Sequence, residues 1–232
     1  MRLKFSHGKH NAKLSKLSTI TNGVVYSFSI SAGETCKFAR DCRTLVRKTP
    51  HGLRLKQIGK FRCYAASMEV RYSHLWRRNR RNYQLLRNSL KNSINKCISL
   101  LYDSIPRQAD IIRWHVSGDF FCYRYFVAFC RVVEQFPQIS FYVHTKAIRY
   151  VKSYLNKTNL PSNLHISLSY GGKDDRLIPT LNMSSTQIVR DEAEAKRLGL
   201  KIDRNDTLAY IGSQKTALVL HGIQKSQLKH KG

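Results

Sequence analysis

Ile111-Ile112-Arg113-Trp114-His115-Val116, Ile139-Ser140-Phe141-Tyr142-Val143-His144 and Leu164-His165-Ile166-Ser167-Leu168-Ser169 are three short runs rich in β-branched and aromatic residues. Helix-patterned segments separate them, Tyr123 to Gln135 and Ile148 to Leu155. Strands alternating with helices of this size predict right-handed βαβ crossovers and a parallel sheet, hence an α/β fold. Working back towards the N-terminus, Val24 to Ile30 reads as the first strand of the same sheet. Working forward, shorter strands are predicted near Gln187 to Val189, Leu208 to Ile211 and Ala217 to Leu220. A helix is expected from Asp191 to Leu198, whose acidic first turn suits the helix dipole.

Between the first two strands, Thr35 to Cys63 reads as a loop-rich segment broken by Pro50, Gly52 and Gly59, with a short helical turn at Thr44 to Lys48. From Ala65 to Ser104, Tyr83, Leu86, Leu90, Ile94, Cys97 and Leu101 recur at three- and four-residue steps. That is the apolar stripe of one long amphipathic helix or a helical pair. Residues 1–22 are basic and polar without a clear period and are read as a surface arm. A single α/β domain is expected over 23–224, followed by a basic tail over 225–232.

The 232-residue chain carries 41 Lys and Arg against 14 Asp and Glu, a formal net charge of +27. Residues 1–110 hold 23 basic and five acidic side chains, and residues 111–232 hold 18 and nine, so the first half is the more basic face. Charge of this size points to a polyanionic partner, with nucleic acid, DNA or RNA, ahead of an anionic membrane surface. Arg77, Arg78, Arg80, Arg81, Arg87 and Lys91 on the long helix, with Lys9 and Lys13 on the arm, are the candidate phosphate contacts. Trp76 and Tyr83 flank the arginine cluster as possible stacking partners. No apolar run approaches the ~20 residues of a membrane span, and the first residues lack a signal-peptide core, so a cytoplasmic protein is expected.

In parallel α/β folds the functional groups gather on loops leaving the C-terminal ends of strands. Here those loops carry Cys36, then Ser117-Gly118-Asp119, then Thr145-Lys146, then Tyr170-Gly171-Gly172-Lys173-Asp174, and later Ser213-Gln214-Lys215. Six cysteines in a cytoplasmic chain are ligands or core residues rather than disulfides. Cys97, Cys122 and Cys130 fall at apolar helix positions and read as core. Cys36, Cys42 and Cys63, spaced C-x5-C-x20-C among basic residues, read as a metal site. Three thiolates leave one coordination position open, on zinc or on one iron of a 4Fe-4S iron-sulfur cluster. His115, His144 or His74 are available to close a zinc site.

Asp119 could bind an amino group, act as an acid or base, or cap the following helix, and Lys146 could hold a phosphate or carboxylate or be a solvated lysine. Gly171-Gly172 could admit a phosphate to backbone amides or be a plain turn. Ser169, at the end of the strand before them, joins these glycines as a candidate cofactor contact.

The phrases Ser27-Phe28-Ser29-Ile30-Ser31-Ala32-Gly33-Glu34-Thr35-Cys36, Phe61-Arg62-Cys63-Tyr64-Ala65-Ala66-Ser67, His115-Val116-Ser117-Gly118-Asp119-Phe120-Phe121 and Phe141-Tyr142-Val143-His144-Thr145-Lys146 resemble the "gene product 88" family of phages and mobile elements. That family in turn is similar to phage proteins of radical-SAM type. The resemblance implies a partial parallel (β/α) barrel with a cluster on Cys36, Cys42 and Cys63, whose open iron would hold S-adenosylmethionine. It also places Ser117, Gly118 and Asp119 at the methionine end of that cofactor, in a host bacterial cytosol. The C-x3-C-x2-C signature and a Gly-Gly-Glu run after the second strand are absent. Two functional classes follow: an enzyme modifying nucleic acid or a bound protein, and a non-catalytic nucleic-acid-binding or regulatory protein with a structural iron-sulfur or zinc site.

Overall fold

In a computed structural model that describes residues 1–212 and 215–220, the predicted alternation is present. In chain order the elements are β1 (Ser6–His7), α1 (Ala12–Thr21), β2 (Val25–Ser27), β3 (Thr44–Thr49), β4 (Gly52–Gln57), α2 (Tyr64–Arg71), α3 (Ser73–Asn92), α4 (Ile94–Tyr102), β5 (Ile111–Trp114) and α5 (Tyr123–Val133). They continue with β6 (Ser140–Thr145), α6 (Ile148–Leu155), β7 (Leu164–Ser169), β8 (Ser185–Val189), α7 (Glu192–Arg197), β9 (Lys201–Ile202), α8 (Thr207–Tyr210) and β10 (Lys215–Val219).

Eight strands form one sheet in the order β1-β2-β5-β6-β7-β8-β10-β9. Every pair is parallel except β1 with β2. From β2 to β8 spatial order follows chain order, so right-handed crossovers stack α3 to α6 against one face. The sheet is open, since β1 and β9 at its two edges do not pair with each other, and the expected barrel is not closed.

The register shows how the two faces differ. Ile112, Trp114, Phe141, Val143, Leu164, Ile166 and Leu168 alternate onto the helical face and form the main core with Leu86, Cys97, Phe126, Phe129 and Ile148. Trp114 is its centre, stacked against Phe28 at 4.5 Å and Phe129 at 4.6 Å, with its indole N–H donating to the Tyr125 hydroxyl at 3.0 Å. The opposite face carries Ser27, Arg113 and Tyr142 side by side. It is covered by α1 and α8 through Leu14, Leu17 and Ala209. There Asp206 accepts from Arg113 and from the Tyr142 hydroxyl at 3.2 Å, with Lys13 at 3.5 Å.

Several expectations change. Residues 1–22 are not a loose arm: β1 pairs with β2, and α1, capped by the Asn11 side chain, buries Leu14 and Leu17. Two leucines three residues apart give too narrow a stripe for the period to stand out, yet they suffice to dock one helical face. Thr44 to Lys48 is not a helical turn but the first arm of a hairpin. Its alternation with Gly52–Gln57 across Pro50-His51 is a strand signal. The stretch from Ala65 to Ser104 is divided into α2, α3 and α4. Ser93 ends α3 in an extended conformation and caps α4 by accepting from Lys96 N–H at 3.1 Å. Leu208 to Ile211 belongs to α8 and its C-terminal cap, not to a strand.

The strand expected to reach Val116 ends at Trp114, where His115 takes a left-handed φ of 57°. Among the described residues no helix is long and apolar enough to cross a membrane. The tail over 225–232, like Ser213 and Gln214, lies outside the described residues.

Candidate metal centre and its surroundings

Past its last ladder pair, the backbone after β2 stays hydrogen-bonded to β5 and the chain that follows it: Phe28 N–H donates to Arg113 O, Val116 N–H to Phe28 O, and Ile30 N–H to Ser117 O. Gly118, at φ 86°, packs so tightly on this pair that a Cβ would lie 2.5 Å from Ile30 Cγ1 and 2.8 Å from Thr35 Oγ1. Only glycine fits there. Thr35 Oγ1 in turn accepts from Asp119 N–H at 3.1 Å.

Asp119 then reaches the loop after β6. Its Oδ1 accepts from the Thr145 hydroxyl at 2.5 Å and its Oδ2 from Lys146 N–H at 2.8 Å. Lys146 donates from Nζ to Ser169 Oγ at the end of β7. The loop after β7 closes the circuit, with Gly171 O accepting from both Arg40 and Asp41 N–H and Phe38 O accepting from Lys173 N–H. Four consecutive strand exits are thus stitched into one mouth, as the sequence predicted. Lys215 opens β10 instead of following a strand, so it lies at the opposite end of the sheet.

Cys36, Cys42 and Cys63 are half-buried free thiols at this mouth. Burial first, then the charges of Asp119, Cys63 and Cys42, push the Cys36 thiol well above its ordinary value, with the Gly33 amide opposing. Burial and then Cys42 push Cys63 up to about 11, against the amides of Ala66 and Ala65. The last two belong to the first turn of α2, which Cys63 precedes as the N-terminal cap residue. Cys63 N–H donates to Thr44 Oγ1, which fixes the third cysteine against the base of the hairpin.

The donor set therefore suits a soft cation. Cys36 feels the charges of Cys63 and Cys42, Cys63 feels that of Cys42, both meet backbone amides, and burial more than mutual charge makes the thiolates of Cys36 and Cys63 costly. Among the described residues no group of three His, Cys, Asp or Glu side chains stands in a geometry that could hold a metal ion.

The three histidines considered as a further ligand have other surroundings. His115 Nε2 is 3.0 Å from the Tyr125 hydroxyl inside a cage of Phe28, Trp114 and Phe120, and burial holds it neutral, down to about 3. His144 is also lowered to about 3, by burial and then by Arg113, and both its ring nitrogens are buried without a partner. His74 is exposed beside Tyr72.

One residue at the mouth had no signal in the sequence. Glu69 on α2 is 1% exposed, and its Oε1 accepts from Ala32 N–H at 3.0 Å, Asn79 Nδ2 at 2.8 Å and Ser117 Oγ at 2.8 Å. Oε2 has no partner, and burial raises the carboxyl above its ordinary range against those three donors. Glu69 binds α2 to the first loop and occupies the Ser117 hydroxyl. A solvated-looking Glu in Met68-Glu69-Val70 carries no mark of this burial.

Other candidates are already engaged. The N–H groups of Gly171 and Gly172, pictured around a phosphate, donate to Asp175 Oδ2 at 3.1 Å and Oδ1 at 2.8 Å. An internal carboxylate thus takes the anion position, with Arg40 as its counter-ion at 3.3 Å. Asp119 does not cap α5, whose cap residue is Cys122; its carboxylate is 6% exposed and tied to Thr145, Lys146 and Phe120. Lys146 is buried, not a solvated lysine.

The expected basic patch divides likewise. Arg87 and Lys91 on α3 and Lys9 near the N-terminus are exposed, and Arg77 reaches only Ser73 at 3.3 Å. Arg80 sits over Trp76 at 5.5 Å with Glu34 at 3.8 Å. Arg78 is held by Ser6 and Asn79, Arg81 donates to Arg2 O at 2.9 Å, and Lys13 points inward to Asp203 O and Asp206. Tyr83 is no surface stacking partner, because it is buried edge-on against Phe121 at 5.1 Å.

No curated protein and no solved structure matches this chain. A family model described as gene product 88 matches residues 2–231. The stitched mouth, its three cysteines and the sheet that carries them are therefore those of a chain that belongs to the gene product 88 family.

Proposed function

We propose that this protein holds a metal centre, an iron-sulfur cluster in preference to zinc, on Cys36, Cys42 and Cys63, and works on or at nucleic acid. The observation that carries the reading is that Cys36, Cys42 and Cys63 are half-buried free thiols at one hydrogen-bonded mouth, with Cys63 anchored through its N–H to Thr44 Oγ1. Sulfur donors gathered at one mouth suit a soft cation, which binds them as thiolates in exchange for their protons. A 4Fe-4S cluster on three cysteines keeps one iron open, and when bound it supplies a one-electron donor at that position.

The chain's own residues then have defined tasks. Cys63, at the start of α2, has amides turned to its sulfur. Asp119 holds the loops after β5 and β6 together, and Lys146 donates from Nζ to Ser169 Oγ at the end of β7. In the radical-SAM-like form of the proposal, Ser117, Gly118 and Asp119 would border S-adenosylmethionine, which would supply the radical chemistry when bound. The exposed cations Lys9, Arg77, Arg87 and Lys91 would contact phosphates, so affinity should fall steeply with salt.

A second reading is favoured by a different observation: Ser117 is bound to Glu69, and Asp175 fills the Gly171-Gly172 amides. With these groups occupied, the centre would serve to pin the segment from Cys36 to Cys63 in a non-catalytic nucleic-acid-binding or regulatory protein. Anaerobic purification with iron, sulfide and zinc analysis tests the centre. Cleavage of S-adenosylmethionine by the reduced protein separates the two readings, because it is expected for the first and ruled out by the second.

A further inference from the structure

The hairpin β3–β4 emerges from the metal-site loops, between Cys42 and Cys63, and forms a two-stranded sheet of its own. Its base is fixed: Ile58 and Gly59 N–H donate to Arg43 O, and Thr44 Oγ1 accepts from Cys63 N–H. Its tip is free, with Pro50, His51 and Gly52 exposed and nothing within 4 Å of a Cβ built on Gly52.

The register assigns each side chain to a face. Thr44, Val46, Leu53, Leu55 and Gln57, half-buried or buried, share one face with the exposed Lys48. The other face presents Arg47 directly opposite Arg54, with Lys56 opposite Leu45. Arg47, Arg54 and Lys56 are exposed, and none of them makes a side-chain hydrogen bond, ion pair or ring contact among the described residues.

Like charges directly opposite on an antiparallel pair destabilise it. A folded ribbon that keeps Arg facing Arg, with no carboxylate paired to either among the described residues, therefore has a surface matched to something other than itself. A two-stranded ribbon, with strands about 4.8 Å apart and side chains on either edge, fits the ~12 Å major groove of B-form DNA. It does not fit the narrow major groove of an A-form RNA duplex.

We propose that β3–β4 is a duplex-DNA-binding ribbon, inserting its Arg47, Arg54 and Lys56 face into the major groove beside the cysteine mouth. This rests on the nucleic-acid reading above and names its partner as double-stranded DNA. Six residues per strand give the ribbon about 20 Å of reach, enough to follow the groove over roughly half a turn.

The test is fluorescence anisotropy of the full chain with a labelled ~25-base-pair DNA duplex, the matching RNA duplex and one DNA strand, across a salt series. Arg47→Ala with Arg54→Ala should weaken duplex-DNA binding about tenfold and flatten the log K against log salt slope by about two. The same double variant should keep or raise its urea midpoint, since the facing charges are gone; a lowered midpoint would contradict the argument from repulsion. A wild-type chain that binds none of the probes overturns the nucleic-acid reading itself. Duplex-DNA binding that survives the ribbon variant but is lost in Arg87→Ala with Lys91→Ala overturns the ribbon alone. Equal binding to the RNA duplex, equally lost in the ribbon variant, overturns the groove assignment.

Discussion

Replacing Arg113 with Met should be among the most damaging single changes on the face of the sheet opposite the main core. Arg113 donates to Asp206, which is fully buried and whose carboxylate is otherwise reached, among the described residues, by Tyr142 Oη at 3.2 Å and Lys13 Nζ at 3.5 Å. Burial alone would push the Asp206 carboxyl up; Arg113, and after it Lys13, outweigh burial and hold it below the usual carboxylate range. Removing the guanidinium leaves a buried, under-compensated carboxylate, a change that costs about 3–5 kcal/mol. That is a fall of more than about 1 M in the urea midpoint at the slopes usual for small proteins.

The sign with pH follows from the depressed value. The pair's contribution is fully present above the unfolded carboxylate value of about 3.9 and is lost as pH falls through the folded value. Urea midpoints at pH 7 and pH 3, read by circular dichroism, should show the Arg113→Met deficit large at pH 7 and reduced at pH 3. Adding Asp206→Asn should recover part of the loss, because Asn tolerates the left-handed φ of 61° and carries no charge. A deficit below about 1 kcal/mol at pH 7, or one equally large at both pH values, would refute the reasoning.

Further expectations concern the mouth and the basic helix. Gly118→Ala should lose more than about 2 kcal/mol in urea unfolding, from its positive φ and the contacts with Ile30 and Thr35. Glu69→Gln removes a carboxyl whose folded value is raised, so the wild type should lose stability relative to the variant as pH rises above the unfolded carboxyl value of about 4.3, checked by the same midpoints. Arg78→Ala should lower the midpoint without changing the salt slope of nucleic-acid binding, since Ser6 and Asn79 hold that guanidinium. Arg87→Ala should change the slope by about one and leave the midpoint within about 0.5 kcal/mol.

The stretches legible in the sequence share a physical reason. Ile148–Leu155 and Leu164–Ser169 have the predicted bounds because their burial is one-sided or complete and their ends carry Pro161 and Gly171 signals. Leu208 to Ile211 misleads because a four-residue apolar run has no period to separate strand from helix. There the hydrogen bond from Ala209 N–H to Asp203 Oδ2 at 2.9 Å helps fix the turn, a contact the local sequence cannot show.

At the mouth, the convergence of Cys36, Asp119 and Lys146 was readable from strand order alone, since chain order and spatial order agree from β2 to β8. What was not readable is which polar groups are already satisfied from within: Asp175 in the Gly171-Gly172 amides, Glu69 on Ser117, Lys13 on Asp206. Each joins elements distant in sequence or depends on a loop bend that sequence spacing does not reveal. The inward turn of Lys13 in particular depends on α1 docking, which the polar composition of residues 1–22 conceals.

The central claim is that three sulfurs share one metal centre, and anaerobic metal and sulfide analysis of the wild-type and Cys36→Ala chains tests it most directly. The account predicts about four iron and four sulfide per wild-type chain, with the bound metal lost on Cys36→Ala. Stoichiometric zinc without sulfide would contradict the cluster, and full metal occupancy in Cys36→Ala would contradict the site.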